Sequence, residues 1–142
     1  MNVSEPIQNA ALLESDILIV EDDPGICDAM KCLFEEVSIK ASFAETGEEA
    51  LANLQYRSTP PSLIVLDGRL PDARGLFLAT QIRDLVPART SVYLFSADPR
   101  QSFGTEAQLT QAGITGFISK PFDIEVFIKL ALQHSSDSTL SQ

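Results

Sequence analysis

The chain is poor in the residues that several common chemistries require. It has two cysteines and one histidine. Composition thus argues against a disulfide framework and a zinc site. The single histidine, His134, falls in a polar tail and offers neither a general base nor a ligand. Cys27 and Cys32 lie five apart in a segment that reads as helix, so they point to different faces. Both read as buried apolar residues, free thiols suited to a reducing cytoplasm. Basic residues are scarce as well. Ten Lys and Arg stand against twenty Asp and Glu, for a formal net charge of −10. A sequence-independent grip on nucleic acid needs clustered cations, and anionic lipid would be repelled. No apolar run approaches the length needed to cross a bilayer. The opening residues, MNVSEPIQNAALLESD, lack the basic start of a secretory signal. The expectation is a cytoplasmic protein with no direct contact to nucleic acid or membrane.

What remains is ordinary globular material: 142 residues, 44% hydrophobic and 21% charged, which suits one domain. Residues 1–15 read as a flexible lead, 16–133 as the domain and 134–142 as a flexible tail. Ile17–Val20 is a continuous apolar run of the kind buried on both faces of a parallel sheet. Pro24 suits a first helical turn, and Ile26, Met30, Leu33 and Phe34, with Ala29 and Val37, trace an apolar stripe to about Glu36. Ile39–Phe43 reads as a second strand. Thr46 to Glu49 has capping-box spacing and opens a helix through Leu54. Leu63–Leu66 is a third strand, Gly75–Leu85 a helix with Leu76, Leu78, Ala79 and Ile82 inward, and Val92–Phe95 a fourth strand. A fourth helix over Gln101–Gln111 is weakened by Gly104 and closed by Gly113 as a left-handed cap. Thr115–Ile118 is the fifth strand, and Asp123 caps a last helix to Gln133.

Five strands alternating with five helices predict an α/β fold, a doubly wound five-stranded parallel sheet. Periodicity does not give strand order. The flavodoxin-like order 2-1-3-4-5 has its switch point between strands 1 and 3. It would set Asp22 and Asp67 beside the crevice, which favours it.

Four of the strand runs stop at chemically useful residues: Glu21 and Asp22, Asp67, Ser96 and Lys120. Taken singly, each has a plainer reading. The acidic run could merely start a helix, Asp67 could be a turn residue before Gly68, and Lys120 could be a surface lysine. Jointly, each ends an apolar strand in chain order, and a parallel sheet gathers them at one edge. Carboxylates so placed suit a hard, oxygen-ligated ion such as Mg²⁺, and an ionised Asp67 can act as nucleophile toward an activated phosphoryl group.

On the motifs IVEDD, IVLDGRLPDARG, LFSAD and GFISKPF, the chain resembles the receiver domain of bacterial response regulators from about Asp16 to Gln133. The resemblance implies a phosphorylation switch of a two-component system or phosphorelay. Asp67 would accept phosphate from the phosphohistidine of a histidine kinase or a histidine phosphotransfer protein. Asp22 and Asp67 would bind Mg²⁺, Glu21 would act through water, and Arg69 would offer its backbone carbonyl. Lys120 and Ser96 would contact the phosphoryl oxygens, and Phe117 matches the switch aromatic. The Lys120–Pro121 peptide would be cis. Arg69 and Asp98 would face each other on the rim and hinder attacking water. Asp23, one place past the metal pair, is read as a helix cap.

The resemblance further implies a stand-alone receiver that is no enzyme beyond Mg²⁺-dependent self-phosphorylation and autodephosphorylation. Its downstream partner would dock at helix 4, strand 5 and helix 5, and a homodimer is compatible with it. The chain departs from the pattern at Glu21, where Asp is usual. It departs again in ADPRQSFGTEAQLTQAG, where Pro99 and Gly104 stand at the expected start of the fourth helix. A pseudo-receiver that binds partners without phosphorylation is the alternative, although Asp22, Asp67 and Lys120 are all present. A Mg²⁺-dependent phosphohydrolase would need a second Asp where Arg69 stands.

Overall fold

Apolar runs bounded by turn residues become strands, and amphipathic stripes become helices, through most of the chain. The computed structural model describes residues 15–135. In order, the elements are β1 (Ile17–Val20), α1 (Pro24–Glu36), β2 (Ala41–Ala44), α2 (Gly47–Tyr56), β3 (Leu63–Asp67) and α3 (Gly75–Arg83). There follow β4 (Ser91–Ser96), a 3₁₀-helix (Arg100–Phe103), α4 (Glu106–Gln111), β5 (Gly116–Ser119) and α5 (Ile124–Gln133). All strand pairs are parallel, and the order is β2-β1-β3-β4-β5, as expected. The register sets Val20 beside Leu66, and Ser96 beside Ser119, so β1, β3, β4 and β5 end at a common edge.

Alternation along each strand sorts its side chains between two layers. Leu18, Val20, Ile64, Leu66, Val92 and Leu94 pack with residues of α2, α3 and α4, including Ala50, Leu78, Ile82 and Leu109. Ile17, Ile19, Leu63, Val65 and Phe95 pack with α1 and α5 through Met30, Phe34, Phe127 and Ala131. Full burial of one Leu or Ile contributes about 1.5–3 kcal/mol. The central strands are therefore firm supports for whatever stands at their ends.

Several boundaries differ from the sequence reading, each for a local reason. The second strand starts at Ala41 because Ser38 takes a positive φ of 59° and Ile39 N–H turns back to the Phe34 carbonyl at 2.9 Å. Residues 38–40 thus belong to the exit of α1. The third helix stops at Arg83, and Leu85 N–H bonds to the Ile82 carbonyl in a tighter closing turn. The fourth helix is broken in two at Gly104, whose φ of 153° disfavours other residues. Thr105 then starts α4 afresh with a complete capping box to Gln108.

On α1 the buried positions are Cys27, Met30 and Phe34. Ala29 is exposed, and Cys32 is exposed rather than buried. Five residues turn the helix by about 140°, so one face cannot hold both thiols. The expected lead and tail lie outside the described residues except at their inner ends. There the Ser15 hydroxyl donates to the Ile17 carbonyl, and Ser62 donates to the His134 carbonyl at 2.6 Å. His134 itself faces the Leu130 carbonyl and the Ser91 hydroxyl.

Candidate functional site

Each strand delivers its last residues to the carboxyl edge of the sheet. Beyond β1, Glu21 stays in the ladder through its N–H to the Ala44 carbonyl at 2.9 Å, and its side chain is fully buried. Asp22 is exposed. Asp23 also borders the cleft but caps α1, its Oδ1 accepting from the Gly25 and Ile26 N–H groups at 2.8 and 3.1 Å. That bonding, with Pro24 behind it, turns the chain into α1 at once and fixes the acidic pair at the edge.

Asp67 ends β3 and is 4% exposed. Its Oδ1 accepts the Arg69 N–H at 2.9 Å, so a turn immediately after the strand orients the carboxylate. Lys120, just past β5, reaches across with Nζ 2.9 Å from Glu21 Oε1 and 3.4 Å from Asp67 Oδ2. The same ammonium lies 4.8 Å from the Phe95 ring centroid, and the Lys120–Pro121 bond is cis. Ser96, buried at the end of β4, accepts the Asp98 N–H on its hydroxyl at 2.9 Å. Asp98 pairs with the Arg69 guanidinium across the rim. Glu21, Asp22, Asp67, Arg69, Ser96, Asp98 and Lys120 thus line one open cleft of about 530 Å³. Phe117, on β5, lies outside it against Phe103 and Arg100.

The charges here do not balance. Burial pushes the Asp67 carboxyl up to about 7; the Arg69 N–H opposes that rise, and the neighbouring Glu21 adds to it. Burial also works against the Lys120 ammonium, but Glu21 and Asp67 outweigh it and hold its pKa above the ordinary lysine value. One ammonium thus serves two buried carboxylates, with Asp22 as a third negative group beside them. Carboxylate oxygens of Glu21, Asp22 and Asp67 all lie within 4.8 Å of one another. A small divalent cation fits this donor set, since it would offset the excess charge that burial penalises.

Two features escaped the sequence reading. Asp72, in the loop after β3, caps α2 from outside it, with its carboxylate oxygens accepting the Gly47 and Glu48 N–H groups at 2.8 and 3.0 Å. No sequence spacing announces a cap supplied 25 residues downstream. Phe103 lies over Gly68, where a Cβ would stand 2.5 Å from its ring. The one sequence signal was the missing side chain beside Asp67.

Residues 17–132 match the family model of the response regulator receiver domain. Over 123 residues the chain is 28% identical to the uncharacterised 14.6 kDa protein in the sodA1 3' region of Leptolyngbya boryana, covering 87% of this chain and 92% of that one. It is 30% identical over 132 residues to the peroxide stress-activated histidine kinase mak3 of Schizosaccharomyces pombe, covering 88% of this chain and 6% of the kinase. The CheY-like response regulator receiver domain protein of Methanospirillum hungatei superposes with a TM-score of 0.73 at 23% identity, over 89% of this chain and 97% of that one.

Proposed function

We propose that this chain, which belongs to the response regulator receiver domain family, takes a phosphoryl group onto Asp67 from a phosphohistidine and signals by changing its protein contacts. The observation that carries this reading is the cleft itself. A buried aspartate is oriented by the Arg69 N–H, faced by the Lys120 ammonium, and clustered with Glu21 and Asp22. An Asp67 oxygen attacks phosphorus, the P–N bond breaks, and the electron pair leaves with the imidazole, which takes up a proton. Asp22 and Asp67 would hold Mg²⁺, with Glu21 acting through water and the Arg69 carbonyl completing the set. The ion's chemistry is to neutralise charge between carboxylate and phosphoryl oxygens. Lys120 shares that duty from the opposite side, and Ser96 would exchange its bond with Asp98 for one to a phosphoryl oxygen. Such a chain is no enzyme in the usual sense, because the group it turns over is its own side chain.

The phosphodonor would be a histidine kinase or a histidine phosphotransfer protein. The exposed Ile124 and Val126 on α5 support an output face at α4, β5 and α5. Among the described residues no helix is long and apolar enough to cross a membrane, and the free thiols suit a cytoplasmic site of action. Intact-mass measurement after incubation with acetyl phosphate and Mg²⁺ tests the reading. One phosphoryl adduct, absent from Asp67→Asn and from the metal-free control, is expected. A folded protein that takes no adduct would instead favour a module that binds its partner without phosphorylation.

A further inference from the structure

The 3₁₀-helix inserted between β4 and α4 makes contacts that the phosphoacceptor chemistry does not use. The edge of the Phe103 ring, at Cζ and Cε1, sits where a Gly68 side chain would stand, and only the missing side chain there makes room for it. Gly68 is the middle residue of the turn through which Arg69 N–H reaches Asp67 Oδ1. Phe103 also packs against Phe117, with ring centroids 6.1 Å apart. Arg100, from the first position of the same short helix, lies 5.1 Å from the Phe117 centroid and is held by Glu106 at the start of α4. A small cavity of about 90 Å³, bounded by Gly68, Arg69, Arg74, Leu76 and Ser102, adjoins the Phe103 ring. Beyond it, the positive φ of Gly104 separates the 3₁₀-helix from α4.

We infer that Phe103 is a positioning residue that links the acceptor turn mechanically to Phe117. A displacement of the Asp67–Gly68–Arg69 backbone toward the ring presses on it, and the ring passes it to Phe117 and, through Arg100 and Glu106, to α4. Two contacts on one ring transmit motion because a packed side chain has few alternative positions. What this link carries when Asp67 is modified rests on the phosphoacceptor reading; the link itself does not.

The test separates the two. Ring signals of Phe117 are followed by NMR in selectively labelled protein, first without any phosphodonor. Gly68→Ala inserts a methyl group where Phe103 stands, so the Phe117 signals shift. In the Phe103→Ala background the same methyl group meets only the Ser96 Cβ at 3.4 Å, an ordinary contact, and the shift falls to near zero. This non-additivity is the signature of direct coupling. An equal shift in both backgrounds overturns the inference. Phe103→Leu supplies the same cycle if Phe103→Ala does not fold. Acetyl phosphate and Mg²⁺ are then added. The expected result is a Phe117 response in the wild type that is lost in Phe103→Ala, although intact mass still records the adduct. An undiminished response in that variant overturns transmission through Phe103. A coupled cycle in a wild type that takes no adduct keeps the link and removes the phosphoacceptor reading.

Discussion

At the residue scale the decisive quantity is charge in a confined space. Asp67 is shifted up because burial penalises its ionised form, with Glu21 adding to the effect. A carboxyl with a folded pKa near 7 and an unfolded one near 4 binds more protons when folded. Its contribution to stability is fully present below about pH 4 and falls as pH rises toward about 7. In metal-free protein, the denaturation midpoint of the wild type should therefore decline over that window relative to Asp67→Asn. Mg²⁺ should reduce the decline. A parallel pair of curves would mean that Asp67 ionises without cost. On the rim, Arg69 of the Arg69–Asp98 pair is largely exposed and Asp98 partly so, and such pairs hold loosely. Asp98→Ala should shorten the lifetime of the phosphoryl adduct by about threefold or less, read as loss of the mass adduct with time.

Elements depend on how their ends are satisfied. Thr46 accepts the Glu49 N–H at 3.0 Å, but Glu49 bonds to the Glu45 N–H rather than returning to Thr46. The capping box read from sequence is therefore only half made, and Asp72 satisfies two other first-turn donors, the Gly47 and Glu48 N–H groups. The Gly47 N–H holds the Asp72 carboxyl below the usual carboxylate range. Its contribution is thus present above the unfolded pKa and lost as pH falls through the folded one, opposite in sign to that of Asp67. Asp72→Ala should cost about 0.5–2 kcal/mol, measured by chemical denaturation at neutral pH, and the loss should shrink in acid. Since the same loop continues from Asp67, this cap also ties the acceptor turn to α2.

At the scale of the whole molecule, an aromatic chain joins the far layer to the site. Phe34 stacks on Phe127 at 5.6 Å, Phe127 meets Phe122 at 5.0 Å, and Phe122 meets Phe95 at 5.8 Å. Phe95 in turn lies under the Lys120 ammonium. Phe127 is 1% exposed, and Phe127→Ala should cost about 3–5 kcal/mol, seen as one cooperative transition moved to lower denaturant. A separate early transition would mean that α5 unfolds on its own.

The sequence by itself determined the fold class, because period-2 and period-3.6 patterns are local. It also placed Glu21, Asp22, Asp67, Ser96 and Lys120 at strand ends, because apolar runs stop where they do. Asp23 as a cap was legible only through the family resemblance, since it stands one place past the metal pair. Three-dimensional packing alone decided that Lys120 serves Glu21 as well as Asp67, that Asp72 caps a helix 25 residues upstream, and that Phe103 fills the place left by Gly68. Each of these joins residues distant in sequence, and their distances are fixed only once the sheet has brought the strand ends together.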